Sequence, residues 1–341
     1  MGDNTTIRPG VMIVGGYGHV GSQIARRLKK AGHYEVCIAG RDENKANAMA
    51  TRLGCKATQL DVRDPQTWSK ALAAIKTVVV CIDQTDTGFI EHVLTKGLRY
   101  IDITADDTFF RDVEQLAQLA RASGGTALLS VGLAPGLTNL LVKACAEKLD
   151  DATDARIGIL LGLGDTHGPA AIDWTLQNFK RAPIEKLHFG KNDRPHPAME
   201  FNFADQHVLR RTRGIGKVRT LLTFDSATLS RILFHLLPVM TKSAFLRRLV
   251  SKSMMHIRLG SDRTALSVVV TGSRSGREAT ATMSLEGREE AAITALVAAN
   301  TVQLLTDTPI APGVWHIDQV ASIDHYSNCL AAEGVTFSVV A

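Results

Sequence analysis

Aromatic residues are scarce, at 5% of the 341-residue chain, and no basic run is interleaved with them. The stacking and charged surface that nucleic acid requires is therefore absent. Cysteine is also sparse. Five stand at positions 37, 55, 81, 145 and 329 and none forms a CxxC pair, which argues against a zinc knuckle or a disulfide framework. Cys37 and Cys81 lie in apolar runs and read as inert core thiols. The pattern suits a reducing, cytoplasmic compartment. The chain opens on polar residues without a signal-peptide core. No apolar run reaches membrane-span length, since the longest, Ala127 to Ala146, is interrupted by Pro135, Gly136, Asn139 and Lys143. No membrane partner is expected. The net charge is only +5, from 39 basic and 34 acidic residues, which suits a small anionic ligand better than a polyanion. His196 and His207 lack neighbours at metal-ligand spacing, so no metal is expected. Neither a Gly-x-Ser-x-Gly elbow nor a Walker loop occurs, which weakens hydrolase and NTPase readings.

What is present is a strand, a glycine turn and a helix near the start. Val11, Met12, Ile13 and Val14 form an apolar run read as a buried parallel strand. Gly16, Gly18 and Gly21 follow at GxGxxG spacing, and Ile24, Ala25 and Leu28 then recur with helical period. In this context the motif is a dinucleotide fingerprint. Gly16 permits the turn, Gly18 admits the backbone to a pyrophosphate, and Gly21 lets the helix lie against the strand. The helix start offers unpaired amides to the phosphates. Gly15, Tyr17, His19 and Val20 complete the expected cofactor loop.

The second strand, Glu35 to Ala39, ends in Gly40-Arg41-Asp42. Arg41 can pair with a 2′-phosphate and so favours NADP(H) over NAD(H), while Asp42 keeps the NAD reading open as an acceptor for a ribose hydroxyl. Further strands are expected at Thr58–Val62, Thr77–Ile82, Tyr100–Thr104 and Ala127–Val131, with helices between them, including one from Phe110 to Ala122. This alternation predicts a doubly wound parallel sheet. Ligands bind outside the carboxyl ends of such strands. Asp61 is placed to reach an adenine or cap a helix, Asp83 lies beside the cofactor ribose, and Asp102 can meet ribose or substrate. Asp106 can likewise meet ribose or substrate, or cap a helix. Gly132 and Pro135, in a turn after the sixth strand, are placed near the nicotinamide, with Pro135 expected to open a helix.

The pattern then changes to α+β. Arg156–Leu163 reads as a strand, Gly164 to Gly168 as a loop, and Ile172–Phe179 and Leu233–Val250 as helices. Ala265–Gly272 and Ala279–Leu285 read as an antiparallel pair joined by Ser273 to Gly276. Arg288–Leu305 is a long helix halted by Pro312-Gly313, and Val335–Val340 is a last strand. Three segments are expected: residues 1–150 as a Rossmann domain, 151–286 as an α+β domain, and 287–341 as a C-terminal segment.

The loop 15–21, Tyr100-Ile101-Asp102, Gly132 to Asn139, Gly287-Arg288-Glu289 and Pro312-Gly313-Val314-Trp315 together resemble the saccharopine dehydrogenase-like family. The resemblance implies that the closing helix returns to the Rossmann domain. It implies that the middle domain carries the substrate and dimerises through its sheet. It also implies reduction of an imine with NADPH or NADH, some relatives being enoyl reductases. The sequence departs from the amino-acid-type members at Ala134, Thr138 and Asn139, where acidic or Asp-His positions are usual, so a less polar substrate is expected.

Imine reduction needs a proton donor. His167 is the expected donor, with Asp165 orienting it and Asp102 as a further catalytic candidate. Arg210, Arg211, Arg213, Lys217 and Arg219 offer a carboxylate contact or a solvated face. The expectation is an NADP-dependent C=N reductase. The alternatives are a C=C (enoyl) reductase, supported by Leu133-Ala134 and Leu233-Phe234 if they line a cleft, and a non-catalytic NADP sensor.

Overall fold

The structure is a computed structural model that describes residues 8–164, 175–176, 182–190, 193–240 and 260–340, with only the backbone at 237–240 and 340. The parts of the expected loop and helices at 165–174, 177–179 and 241–250 lie outside the described residues. Contacts divide the chain into two compact units. One contains the chain to Val131 and Thr294–His316, the other Gly132–Ile293 and Ile317–Ala341. These breaks differ from the segment boundaries read from the sequence.

In the first unit β1 (Gly10–Val14) leads through a turn into α1 (His19–Ala31) and β2 (Glu35–Gly40). Then come α2 (Glu43–Leu53), β3 (Lys56–Gln59), β4 (Thr77–Val80), α4 (Gly88–Thr95, after the short α3 at Trp68–Ala71) and β5 (Arg99–Asp102). Two helices, α5 (Asp107–Glu114) and α6 (Ala117–Ser123), stand where one was expected. The helical path breaks at Gln115 and Leu116. β6 (Thr126–Leu129) follows. All six strands are parallel, and their centre is a continuous apolar core: Met12, Ile13, Val14, Val79 and Ile101 are fully buried. Strands buried on both faces need this unbroken run of β-branched and aliphatic side chains.

A further strand, Gly313–His316, extends the sheet beside β6, also in parallel. The Pro-Gly that halts the return helix, Glu290–Asp307, therefore opens a seventh strand. From the edge this added strand makes, the order is β6, β5, β4, β1, β2, β3. The order reverses at β1, and such a reversal opens a crevice at the carboxyl ends of the strands.

The last residue of this added strand fastens the sheet. His316 is buried; its Nδ1 lies 2.8 Å from Ser130 Oγ and its Nε2 2.9 Å from Glu114 Oε1. An imidazole protonated on Nε2 satisfies both contacts, accepting the serine hydroxyl and donating to the carboxylate. Ser130 has φ +58°, in the left-handed region, which costs a residue with a Cβ on the order of 1–2 kcal/mol. The hydroxyl bond to His316 helps hold that conformation.

The second unit opens with the turn Leu133–Leu137. Pro135 does not start a helix as expected. It is extended (ψ 155°), and Gly136 takes φ 142°, ψ −92°, a conformation for glycine, so α7 begins only at Thr138 and runs to Ala146. The sheet is mixed, seven strands wide. Its centre is Asp151–Leu161, paired in parallel with Lys217–Phe224 and antiparallel with Arg263–Arg274. The expected hairpin is longer than predicted, Arg263–Arg274 with Arg277–Arg288, and its turn is two residues. Ser275 and Gly276 both have positive φ, as a twisted two-residue hairpin demands. The last strand, Thr336–Val340, pairs with Arg277–Arg288. The stretch 184–213, which had no assignment, holds two strands (Ile184–Leu187, His196–Glu200) and a helix (Asp205–Arg213). Among the described residues no helix is long and apolar enough to cross a membrane.

His316→Phe keeps the ring and its edge contact with Phe110 but removes both polar contacts. It is expected to cost about 1–3 kcal/mol, read as a lower urea midpoint at unchanged slope. An unchanged midpoint would show that the tether contributes nothing.

Candidate functional site

A cavity of about 360 Å³ opens at the carboxyl ends of β4, β1, β2 and β3 in the first unit. Its lining includes Gly15, Tyr17 and Gly18 from the turn, Gly40 and Arg41 after β2, Asp61 and Arg63 after β3, and Cys81 to Asp86 after β4.

The turn is built by close approach. A Cβ on Gly16 would fall 2.8 Å from the Ile13 carbonyl oxygen, and one on Gly21 would collide with the Gly15 carbonyl. Gly15 itself has φ +77°. α1 can therefore start hard against the end of β1. No side chain caps this helix and no acidic residue stands in its first turn. Its N-terminal amides and the positive end of its dipole remain available to an anion. At Gly18 an added Cβ would meet only the Gly15 carbonyl oxygen, at 3.1 Å; its other side is the cavity. A pyrophosphate fits this cradle.

Tyr17 lies across Gly40, which leaves no room there for a side chain. The Asp42 amide donates to the Tyr17 hydroxyl at 3.4 Å. The Asp42 carboxylate caps α2, accepting from the Lys45 amide at 3.0 Å and pairing with the Lys45 ammonium at 3.4 Å. The Lys45 amide, then its ammonium, hold this carboxyl below its usual range. Arg41 lines the cavity instead, its backbone carbonyl accepting from the Gln59 side-chain amide at 3.1 Å.

Behind the cavity, Asp102 is fully buried. Thr104 donates its amide to Oδ1 at 2.7 Å, and Oδ2 accepts from the Tyr100 hydroxyl and, at 3.3 Å, from the Gln84 side chain. Burial, with nearby Asp83 adding to it, raises the Asp102 carboxyl above its ordinary value despite these bonds. Burial and then the Asp102 charge push the Tyr100 hydroxyl well up, so tyrosine is the donor of the pair. Burial also raises the Cys81 thiol, which leaves it without nucleophilic character at neutral pH.

The cavity thus brings together Gly15, Tyr17, Gly18, Arg41, Asp61 and Asp83. Gly16, His19, Val20 and Gly21 form the turn and helix start beside it. Asp102 stands beneath, without solvent exposure. Gly132 and Pro135 lie in the second unit, in the turn before α7. Asp165 and His167 lie outside the described residues. Asp106 caps α5 through the Thr108 amide. The strand-end rule pointed to Gln84, which lines the cavity, although it was given no role in the site. Arg63, another lining residue, was not singled out; it follows β3 by four residues, past Asp61.

Other charged candidates are committed within the second unit. Arg210 donates to the Val218 carbonyl, Arg213 to Asp318, and Arg219 to Glu185, while Lys217 pairs with Asp154. His196 faces Asp193 and Phe189, and His207 faces Asn202. Among the described residues no group of His, Cys, Asp and Glu could hold a metal.

Sheet order, glycine turn and cavity define a Rossmann-type dinucleotide-binding domain. Residues 11–129 match the saccharopine dehydrogenase NADP binding domain. This match marks residues 11–129 as an NADP-binding dehydrogenase domain. In fold the whole chain resembles the apo saccharopine dehydrogenase (L-Glu forming) of Saccharomyces cerevisiae, with 14% identity, coverage of 98% of this chain and 100% of that one, and a TM-score of 0.65. It resembles an engineered D-amino acid dehydrogenase bound to NADP+ (17% identity, 95% and 99% coverage, TM-score 0.53). It also resembles the DAP dehydrogenase of C. glutamicum in complex with DAP (16%, 95% and 98%, TM-score 0.51). A curated relative, prestalk A differentiation protein A of Dictyostelium discoideum, is 29% identical over 75 residues, which are 22% of this chain and only 25% of that protein's length.

The raised Asp102 carboxyl has a consequence for stability. Between the ordinary aspartate value of about 4 and its raised native value, the folded state holds a proton that the unfolded chain has released. Its contribution is present in acid and is lost as pH rises. Asp102→Asn should flatten this decline: urea midpoints from about pH 4 to about pH 7 are expected to fall less in the variant than in the wild type. Parallel curves would refute the assignment.

Proposed function

We propose that the chain is an NADP(H)-dependent oxidoreductase that reduces a C=N bond, or oxidises the corresponding amine, in a small metabolite. The observation that carries the cofactor choice is the division of labour after β2. Asp42 spends its carboxylate on the α2 cap, whereas Arg41 faces the cavity. A carboxylate held in this way is a poor acceptor for a ribose 2′-hydroxyl, and a guanidinium lining the cavity suits a 2′-phosphate. The residues Gly15 to Gly21 would hold the pyrophosphate, and Asp83 and Gln84 would meet the second nucleoside. When bound, the cofactor supplies or accepts the hydride.

The C=N reading is supported by the family and by structural neighbours whose names describe dehydrogenases of amino acids. The substrate-side turn argues for a less polar member of that class. Ala134 carries no charge, and Thr138 and Asn139 are fully buried, Asn139 Oδ1 accepting from the Gly136 amide at 3.1 Å. Of the stretches that would favour the C=C alternative, Leu133 is a core residue of the second unit, whereas Phe234 lines a second cavity there with Pro183 and His235, which keeps that alternative open. Asp102 is assigned a positioning role, since its carboxylate is buried and engaged. His167, oriented by Asp165, is retained as the proposed proton donor, with Gly132 and Pro135 proposed near the nicotinamide. A homodimer through the second unit's sheet is proposed on the family resemblance.

Nucleotide fluorescence titrations test the cofactor reading. Wild-type protein is expected to bind NADPH more tightly than NADH. Arg41→Ala should lose roughly 1.5–3 kcal/mol toward NADPH, with NADH little changed. Asp42→Ala should lower thermal stability and leave the NADPH-to-NADH ratio in place. No binding of either nucleotide would overturn the oxidoreductase reading, and an NADH preference would overturn the NADP assignment. With binding established, imines and enones are screened for NADPH oxidation.

A further inference from the structure

The cavity contains a second guanidinium that neither the fingerprint nor the strand-end rule accounts for. Arg63 lines it together with Arg41, from the neighbouring strand. β2 and β3 pair through Gly40 and Gln59, and the Leu60 amide donates to the Gly40 carbonyl at 3.0 Å, so the two chains leave the sheet side by side. Neighbouring strands lie about 4.8 Å apart, and long arginine side chains span such a gap easily.

The backbone carrying Arg63 is firmly held. The Asp61 carbonyl accepts from Trp68 Nε1 at 2.8 Å and from the Asp64 amide at 3.0 Å, and Thr67 Oγ1 also donates to it, at 3.2 Å. Asp61 Oδ1 accepts the Arg63 amide at 3.0 Å and lies 3.6 Å from Arg63 Nε. The Arg63 side chain is nevertheless 58% exposed. Its base is therefore fixed, and among the described residues one long ion pair engages its head. Asp61 is turned toward Arg63 and reads as its support more than as an acceptor for adenine.

The other acids of the cavity lie on its far side, after β4. There Asp86 accepts from the Gly88 amide at 3.0 Å, and Asp83 stands beside Asp102. The β2–β3 side carries Arg41, Arg63 and Asp61. Two arginines against one carboxylate leave a net positive charge in the lining of that side, where a dinucleotide crossing the glycine turn would put its adenosine half. A phosphomonoester dianion, with three acceptor oxygens, uses two planar donor forks at once; a ribose hydroxyl does not.

We propose that Arg63 is a second specificity residue for the 2′-phosphate of NADP(H), held in place by Asp61 and acting with Arg41. This rests on the NADP reading given above, and its test separates the two. NADPH, NADH, 2′,5′-ADP and 5′-ADP are titrated against wild type, Arg63→Ala, Arg63→Lys, Arg41→Ala and the double alanine variant, each checked for unchanged thermal unfolding. Arg63→Ala is expected to weaken NADPH and 2′,5′-ADP by about tenfold, with NADH and 5′-ADP changed by less than about twofold. Arg63→Lys, a point charge without the fork, should recover only part of the loss. The two alanine substitutions should combine non-additively, because both touch one phosphate.

Equal weakening of all four ligands by Arg63→Ala would mean that the guanidinium serves the adenine or the common phosphates, and would overturn the proposal. So would no change in any ligand. In both cases a persistent NADPH preference lost in Arg41→Ala leaves the NADP reading standing. A wild type without any 2′-phosphate preference would overturn both.

Discussion

The contact between the start of α1 and the end of β1 governs the rest of the first unit. Gly21 lies so close to the Gly15 carbonyl that no side chain is tolerated, and Gly16 is nearly as constrained by Ile13. That proximity aims the uncapped helix start at the cavity. It also fixes the level at which the neighbouring strands deliver their loops. Arg41, Arg63 and Gln84 reach a common space because β2 and β4 pair in register with β1, the strand that ends in this turn, and β3 pairs in register with β2. The positive helix end favours an anion at the centre, and the guanidiniums extend that preference to one side.

At the start of α2 a stability device and the proposed specificity residue share one loop. An aspartate at a helix start is retained by the helix for its own unpaired amides. At Asp42 this use removes the carboxylate from competition for a ribose. Arg41, one residue earlier, has no such duty within the helix. The hydroxyl of Tyr17 and the side chain of Gln59 then hold the peptide group that joins Arg41 to Asp42, one at its N–H and the other at its carbonyl. Local helix chemistry therefore bears on which dinucleotide the cavity suits.

Elements with strong local signals were legible from sequence. The parallel strands announce themselves as apolar runs, and the glycine spacing placed the turn between β1 and α1. The seventh strand of the first sheet did not, because Gly313-Val314-Trp315-His316 is too short for periodicity and its partner is about 190 residues away in sequence, at 126–129. The turn at 133–137 misled for a different reason. Proline is at home at a helix start, but the backbone of Gly136 interrupts the helical path immediately afterwards. The hairpin 263–288 was recognised by alternation, whereas its two-residue turn depended on Ser275 taking positive φ, which composition alone does not demand.

The candidate site was legible to the extent that backbone motifs determine it. Arg41 was found because it directly follows a strand and a glycine. Arg63 was not, since its place depends on a side-chain-anchored turn, in which Asp61 and Thr67 fold the chain back on itself. Asp102 was found as a residue at a strand end, but its sequence position does not reveal that its carboxylate faces Tyr100 and Gln84. Those bonds make it a buried support. An ionisable group at a strand end can serve the ligand or the wall behind the ligand, and what separates the two is where its partners lie. At Asp102 the protein partners are the hydroxyl of one strand residue, a side-chain amide that follows the neighbouring strand, and the amide of Thr104. Under the positioning role proposed above, the carboxylate that sequence reasoning placed at the chemistry acts instead through Gln84 and the cavity wall.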